Sequence, residues 1–495
     1  MRFQLPFRVR QEVLMSRTSY LAKNIGLLTI SQFGTKLLSF FLLPLYTSIL
    51  TTADYGTFDL FSTTVSLLIP VLTLGISSGV LRYAMEKECD KAEVFSYGLK
   101  YFFTSSLIVL VLVILNYLFG FNEIIKHQSL LVFLLFLSTN LNGIVSSFTR
   151  GLENIKAIAI AGVFCTLVTA LLNIVFLIPL HMGLTGYLLA HILGSFFQIS
   201  FLFFATRLWK YISFKKGSSD LKKNMLSYSK PLVANDISWW VNNVSDRYIV
   251  TWLCGISENG IYSVGYKIPS VLAMLQNIFA QAWTLSAIKD FGSEDSARYF
   301  SKMYALYNFA MTAVCSVLII TTRFFARLLY AKDFFEAWKY VPFLLISVVF
   351  GALAGYVGAI FGAAKDTKVF AYSSVAGAVV NIVLNIALVW RFGVIGAAIA
   401  TAVSYCVIWV LRMVRVRNYV ALKINTLRDV VCYAVLVVQA VLLLRFMDSY
   451  FLYIAEFGLL VLIVLMNFSV LKMLYKKSIK KISRKQDLVS AEDEK

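Results

Sequence analysis

Charge is scarce in this chain. Of its 495 residues, 15% are Asp, Glu, Lys or Arg, while 59% are hydrophobic. A soluble chain of this length carries about 25% charged and about 45–50% apolar residues. The apolar excess excludes a disordered chain and requires lipid as its solvent. Histidine is reduced to His127, His181 and His191, which leaves almost nothing for histidine-based metal catalysis. The six cysteines are scattered, mostly within apolar runs, and form no CxxC pair. A disulfide framework and a zinc site are therefore not expected. No GxxxxGK followed by Ser or Thr occurs, so the chain has no ATP cassette of that kind. Paired carboxylates and a Ser/His/Asp set are missing from its polar segments. The longest internal polar segment, about 25 residues, is too short for a catalytic domain. Residues 1–23 hold five basic residues and no apolar core, so no cleavable signal peptide is expected.

What the chain has in quantity is apolar runs. A helix crosses a bilayer core with roughly 20 mostly apolar residues. Fourteen runs qualify, at 24–49, 57–81, 97–120, 128–149, 158–180, 184–206, 231–253, 261–287, 303–322, 340–362, 369–390, 393–414, 428–447 and 451–474. The pairs 158–206 and 369–414 read as hairpins turning at Met182-Gly183 and Phe392-Gly393. The expected class is an all-α polytopic membrane protein with about 14 transmembrane helices.

The net charge of +20 falls in short gaps between these runs, which argues for membrane topology and against nucleic acid as a partner. With the N-terminus inside, the inner segments hold 36 of the 46 basic residues. The outer segments hold seven: Lys126, Arg323, Arg327, Lys332, Lys339, Arg391 and Arg445. Both termini are therefore expected in the cytoplasm. Four of the outer seven fall in the segment 323–339, RFFARLLYAKDFFEAWK. It reads as an interfacial helix on the outer leaflet, with a lipid-headgroup contact as the alternative.

An internal repeat organises the spans. Lys156 precedes Asn173 by 17 residues, and Lys368 precedes Asn385 by the same interval. Gly183-x-x-Gly186 and Gly393-x-x-Gly396 follow, each with an alanine four residues on, Ala190 and Ala400. Asp54-Tyr55-Gly56-Thr57-Phe58 is echoed by Glu258-Asn259-Gly260-Ile261-Tyr262. The period contains six spans, an even number, so both copies run the same way through the membrane. The expected organisation is a cytoplasmic segment 1–23, an N-lobe 24–206, a basic linker 207–230, a C-lobe 231–414, two further spans within 428–474 and a cytoplasmic tail 475–495. Two six-helix lobes in parallel pseudo-repeat are a transporter arrangement, with alternating access by rocking around a central cavity.

Six plus six plus two spans resemble the multidrug/oligosaccharidyl-lipid/polysaccharide exporter superfamily. The segments SQFGTKLLSFFLLPLYTSILTTADYGTFDLF, GLENIKAIAI and GAAKDTKVFAYSSVAGAVVNIVLNIALVWRFGVIGAA are similar to its polysaccharide-biosynthesis branch, the O-antigen and capsule repeat-unit flippases. The resemblance runs from about Leu21 to Leu474. It implies transfer of an undecaprenyl-pyrophosphate-linked oligosaccharide between leaflets of a bacterial inner membrane. It also implies a cavity bordered by spans 1, 2, 7 and 8.

Charges within spans cost about 2.5–3.5 kcal/mol each on insertion scales and need a wet or paired setting. Lys36 stands near the midplane of span 1, either as a cavity cation for a pyrophosphate or acidic sugar or as a paired packing residue. Span 7 carries Asn235, Asp236, Trp239, Trp240, Asn242, Asn243, Asp246 and Arg247 at helical spacing. This stripe is either the wall of a sugar pathway or a structural hydrogen-bond network. Lys267 begins the polar face of span 8, ahead of Gln276, Asn277 and Gln281. The candidate substrate residues are Lys36, Asp236, Trp239, Asn242, Asn243, Asp246, Arg247 and Lys267; no catalytic or metal residue is expected.

The leading function is a lipid-linked oligosaccharide flippase, not an enzyme. A drug/cation antiporter or a lipid II flippase of the same superfamily is the alternative, and a polyprenyl-dependent glycosyltransferase or polymerase is the alternative of another class. The expected partners are the lipid-linked oligosaccharide, membrane lipids and other polysaccharide-assembly proteins. No cofactor is expected, and the coupling ion is left open between H+ and Na+. The charge distribution yields a topology test. A cysteine at position 217, in the basic linker, should be labelled only from the cytoplasmic side of a variant otherwise free of cysteine. Labelling from outside alone would overturn the assignment.

Overall fold

A computed structural model describes residues 34–36, 38–213, 218–364, 366–446 and 450–472. Among the described residues the regular structure is helical throughout, as hydrocarbon demands of a chain whose backbone must bond to itself. The N-terminal helices are α1 (Leu43–Ile49), α2 (Thr52–Leu72), α3 (Ile76–Ala84), α4 (Lys91–Phe119), the short α5 (Glu123–His127), α6 (Ser129–Gly151), α7 (Ile155–Leu177) and α8 (Gly183–Ala205). Next come α9 (Ser219–Cys254), α10 (Ile256–Gly265), α11 (Lys267–Asp290) and α12 (Ser296–Leu329). The C-terminal series is α13 (Val341–Ala363), α14 (Thr367–Phe392), α15 (Val394–Val416), α16 (Thr426–Arg445) and α17 (Tyr450–Met466).

Eleven of these helices are long and apolar enough to span a bilayer, and they coincide with expected spans 2–6 and 8–13. Helix α9, at span 7, is too polar to count by that measure, and the apolar stretch of α17, at span 14, is shorter. Expected span 1 is described from residue 34 on, except residue 37, and α1 falls within it; its first ten residues lie outside the described residues. The all-α polytopic expectation is thus met.

The described residues form two compact units. One comprises residues up to Val244 with Ile256–Gly260 and Leu329–Lys332; the other comprises Ser245–Gly255, Ile261–Leu328 and residues from Asp333 on. In the first unit the core joins Ile76 and Val80 of α3 to Phe95 and Phe102 of α4, Ile144 and Phe148 of α6, Ile158 of α7 and Leu202 of α8. In the second unit α13 is the most deeply buried span. There Trp283 of α11 stacks on Tyr356 of α13 at 4.2 Å between ring centroids and donates its indole N–H to the Tyr356 carbonyl at 2.9 Å.

The repeated residues do repeated jobs. Gly183 and Gly393 take positive φ, 52° and 65°, at the turns of the α7–α8 and α14–α15 hairpins. Three residues later the second glycine lets the returning helix close on the first. A Cβ on Gly396 would lie 2.2 Å from the Leu388 carbonyl oxygen, and one on Gly186 would lie 2.9 Å from Phe176 Cβ. Asn173 and Asn385 are both buried, and each donates its amide to the carbonyl four residues back at 2.9 Å. The tightest approach involves Gly56 of α2 and Gly260 of α10, both within the first unit. A Cβ on Gly56 would lie 2.1 Å from the Ile256 carbonyl oxygen, and one on Gly260 would lie 1.9 Å from that of Thr52. Asn259 bridges the same crossing, donating to the Gly56 carbonyl at 3.3 Å.

Segment 323–339 departs from the expected interfacial helix. Helix α12 continues through Arg323 and Arg327 to Leu329, and a short 3-10 turn, Lys332–Lys339, follows. In that turn Phe334, Ala337 and Trp338 are buried. The apolar residues of this turn pack inward, whereas Phe324 and Leu328 of α12 are exposed, and Arg323 sits 5.4 Å from the Trp338 ring centroid.

The glycine crossing yields a stability test. Gly260→Ala should destabilise the protein by about 1–3 kcal/mol or more, because the new methyl group meets backbone that cannot move aside locally. Gly362→Ala, in α13, meets nothing within 4 Å and serves as the control. Thermal unfolding in detergent should show a clear drop for the first variant and none for the second.

Candidate functional site

The first unit contains a cavity of about 420 Å³ where expected span 2 breaks. The break follows from local sequence. Pro70 lies inside α2 and has no N–H, so the Ser66 carbonyl loses its helical donor. Leu74 and Gly75 then take φ of 54° and 65°, and the chain re-enters a helix as α3. The Gly75 N–H bonds back to the Pro70 carbonyl at 3.0 Å, closing the end of α2. Thr73 turns its hydroxyl onto the Ile69 carbonyl at 2.7 Å. Broken backbone at membrane depth is tolerated only where protein or a wet cavity covers it.

Helix α9 covers one side. A Cβ on Gly75 would come within 3.2 Å of the Ser229 carbonyl oxygen, so α9 passes close over the break. About two to three turns further along, Asn235, Asp236, Trp239 and Trp240 join the cavity lining with Ser66, Pro70, Thr73, Ser77 and Ser78. Trp240 is pinned by its indole N–H, which donates to the Thr63 carbonyl of α2 at 3.0 Å. Trp239 is 65% exposed and presents a free-standing aromatic face. Asp236, half-buried, is the one charged residue among those lining the cavity. An aromatic platform beside hydroxyl, amide and carboxylate groups suits a ring-shaped ligand rich in hydrogen-bond donors.

The other residues singled out from sequence lie elsewhere. Asn242 and Asn243 donate their side-chain amides to the carbonyls of Ser238 at 2.9 Å and Trp239 at 2.7 Å on their own helix. Asp246, in the second unit, is buried and fully engaged. It accepts the hydroxyls of Tyr262 and Tyr266, each at 2.7 Å, and the Arg247 N–H at 2.9 Å. Arg247 packs over the Tyr266 ring, 5.2 Å from its centroid. Lys267 opens α11 and is half-buried, while Lys36 sits on helical backbone and is exposed. Asp236 and Trp239 are therefore together at the cavity; Lys36, Arg247 and Lys267 are not among its lining residues.

Sequence reading missed two features. The α2–α3 break was legible as Pro70 and Gly75 within one apolar run, a punctuation that ends or kinks a helix. Arg412 falls within expected span 12, yet with Arg415 and Arg417 close behind it nothing in the sequence singles it out. It lies inside α15 at 5% exposure, in the second unit. Its guanidinium donates at 2.9 Å to the Ser373 hydroxyl, the Ser374 hydroxyl and the Ala354 carbonyl.

The family of polysaccharide biosynthesis proteins matches residues 21–285, more than half of the chain. The chain belongs to that family. Within it the fold is that of the multidrug/oligosaccharidyl-lipid/polysaccharide exporter superfamily, as the resemblance implied. A "Probable low-salt glycan biosynthesis flippase Agl15" of Haloferax volcanii is 24% identical over 220 residues, 43% of this chain and 45% of that protein. Multidrug and toxin extrusion protein 1 of Pongo abelii is 26% identical over 251 residues, 48% of this chain and 44% of that protein. The matches thus span less than half the length of either relative. Among solved structures, the lipid II flippase MurJ in an inward closed conformation aligns with a TM-score of 0.68 at 16% identity, covering 92% of this chain and 99% of that one. An inward-facing multidrug resistance MATE family transporter aligns with a TM-score of 0.62 at 14% identity, covering 78% of this chain and 95% of that one. At these identities the two structures show a shared fold.

The two aspartates of α9 make contrasting predictions. Asp246→Ala removes the acceptor shared by the Tyr262 and Tyr266 hydroxyls, which are left with each other at 3.2 Å, and should cost about 1–3 kcal/mol. Asp236→Asn keeps the shape at a half-exposed wall and should change stability by no more than about 0.5 kcal/mol. Thermal unfolding of the two variants side by side checks the contrast.

Proposed function

We propose that this polysaccharide biosynthesis family member is a flippase for undecaprenyl-pyrophosphate-linked oligosaccharide repeat units in a bacterial inner membrane. It moves them by alternating access for the assembly of a surface polysaccharide such as O-antigen or capsule. Both termini lie in the cytoplasm, and an H+ or Na+ gradient drives the cycle. The observation that carries this reading is the cavity at the α2–α3 break, where Trp239 stands beside Asn235, Asp236 and three serines. A cavity that offers polar groups at a discontinuous span is where membrane transporters hold cargo. Aromatic faces stack on sugar rings, and the surrounding acceptors match sugar hydroxyls.

The lone Asp236 favours a second reading, a drug/cation antiporter, because an unneutralised carboxylate attracts a cationic drug. The two readings part at the cargo. Deleting the gene should leave polyprenyl-pyrophosphate oligosaccharide on the inner leaflet and remove surface polysaccharide. Unchanged glycan together with sensitivity to cationic drugs would establish the antiporter instead.

Residue tests follow in the complemented deletion strain. Trp239→Ala should lower surface glycan several-fold, as expected for loss of about 1 kcal/mol of ring stacking. Lys36, Arg247 and Lys267 are proposed to offset the pyrophosphate charge as it leaves water. A unit pair at 4 Å is worth about 4 kcal/mol at an effective dielectric of 20. The triple alanine variant, checked for normal protein level in the membrane, should therefore lose transport. Normal surface glycan from it would remove these three from the substrate path.

A further inference from the structure

The sign of charge in the cavity limits which sugars can enter it. Resting on the flippase reading, we propose that the cavity at the α2–α3 break is a sugar subsite that takes neutral or amino sugars and rejects acidic ones.

Asp236 supplies a carboxylate to the wall, and among the described residues no lysine or arginine lines the cavity to balance it. The first turn of α3 points some positive character at the cavity through Ser77 and Ser78. That field is equivalent to about half a charge, and it is set against a full negative charge on Asp236. The Ser78 N–H is already engaged by the Gly75 carbonyl at 3.0 Å, which weakens the offset further. The net charge of the wall is negative, set among hydroxyl, amide and apolar groups. A neutral sugar meets this wall through its hydroxyls without adding charge, and an ammonium group supplies the positive charge that balances Asp236. An ammonium group also gains from the exposed Trp239 face through cation–π attraction. A uronic acid would set its own carboxylate against Asp236 with nothing between them to neutralise either.

The test uses the purified full-length chain in lipid nanodiscs. Binding of methyl glucoside, methyl glucosaminide and methyl glucuronide is read from tryptophan fluorescence and calorimetry. The glucosaminide should bind tightest, and the glucuronide at least about tenfold more weakly than the neutral glucoside. Asp236→Asn should bring the glucosaminide and glucoside together and improve the glucuronide. The wild-type order needs no variant to fold, so it decides the matter alone. Equal or tighter binding of the glucuronide overturns the proposal. So does the absence of saturable binding by all three, or a response to sodium chloride alone that Asp236→Asn abolishes.

The flippase reading has a separate fate. A chain that prevents inner-leaflet accumulation in cells yet prefers the glucuronide keeps the function and loses this subsite. A chain whose deletion leaves the lipid-linked pool unchanged loses the function, whatever its sugar order.

Discussion

An ionisable side chain inside a bilayer must be paired or wet, and this chain uses both solutions. Asp246 is paired, with two tyrosine hydroxyls and a backbone N–H around its carboxylate. Arg412 is held by two serine hydroxyls and a carbonyl, with Phe370 against its guanidinium at 4.2 Å. Asp236 takes the other course and lies on a cavity wall. The cost of a charge in hydrocarbon, several kcal/mol, makes each arrangement necessary rather than ornamental. It also separates structural acids from functional ones. A carboxylate whose acceptor sites are filled by its own fold has little left for a ligand, whereas one at a cavity wall retains that capacity.

The same requirement shapes the backbone. Helices satisfy their own N–H and C=O groups, so apolar length alone made most spans readable, and eleven helices match expected runs. The glycine repeats were readable too, because a turn with positive φ and a crossing with no room for a Cβ both narrow the choice of residue. What stayed hidden depended on neighbours far away in sequence. Nothing near Asp246 announces that Tyr262 and Tyr266 will reach it, since the stripe of polar residues on α9 has one helical period throughout. The segment around Trp338 looked amphipathic whether its apolar side met lipid or protein. Arg412 was not singled out, because its three hydrogen-bond partners lie 38 to 58 residues away in sequence. The α2–α3 break lay between these cases. Pro70 and Gly75 were visible, but their meaning required knowing that α9 covers the gap.

The sequence expectation placed a cation at the centre of the site, and the cavity presents an anion. The two are reconciled if the cargo is considered as two chemistries on one molecule. A lipid-linked oligosaccharide has a pyrophosphate at the lipid end and sugars beyond it. A negative wall near the phosphate would oppose the very charge that must be moved. Such a wall makes sense beside the sugars, where hydroxyl donors face it and no phosphate does. On the proposed reading, then, Asp236 and Trp239 contact glycan, and the phosphate belongs elsewhere, with basic residues outside this cavity.

That division has a consequence for specificity. The pyrophosphate is common to every repeat unit carried on the same lipid, so residues that meet it confer affinity without choosing among glycans. Choice has to come from the sugar side, and a hydrogen-bonding site discriminates most strongly by what it cannot satisfy. A wall whose charge is a carboxylate penalises a ligand that brings another anion more than it rewards one that brings an extra donor, because like charges left unpaired bear the full cost of desolvation. Rejection of acidic sugars therefore follows more firmly from this geometry than preference for any one neutral sugar. The carboxylate is the element that does the rejecting.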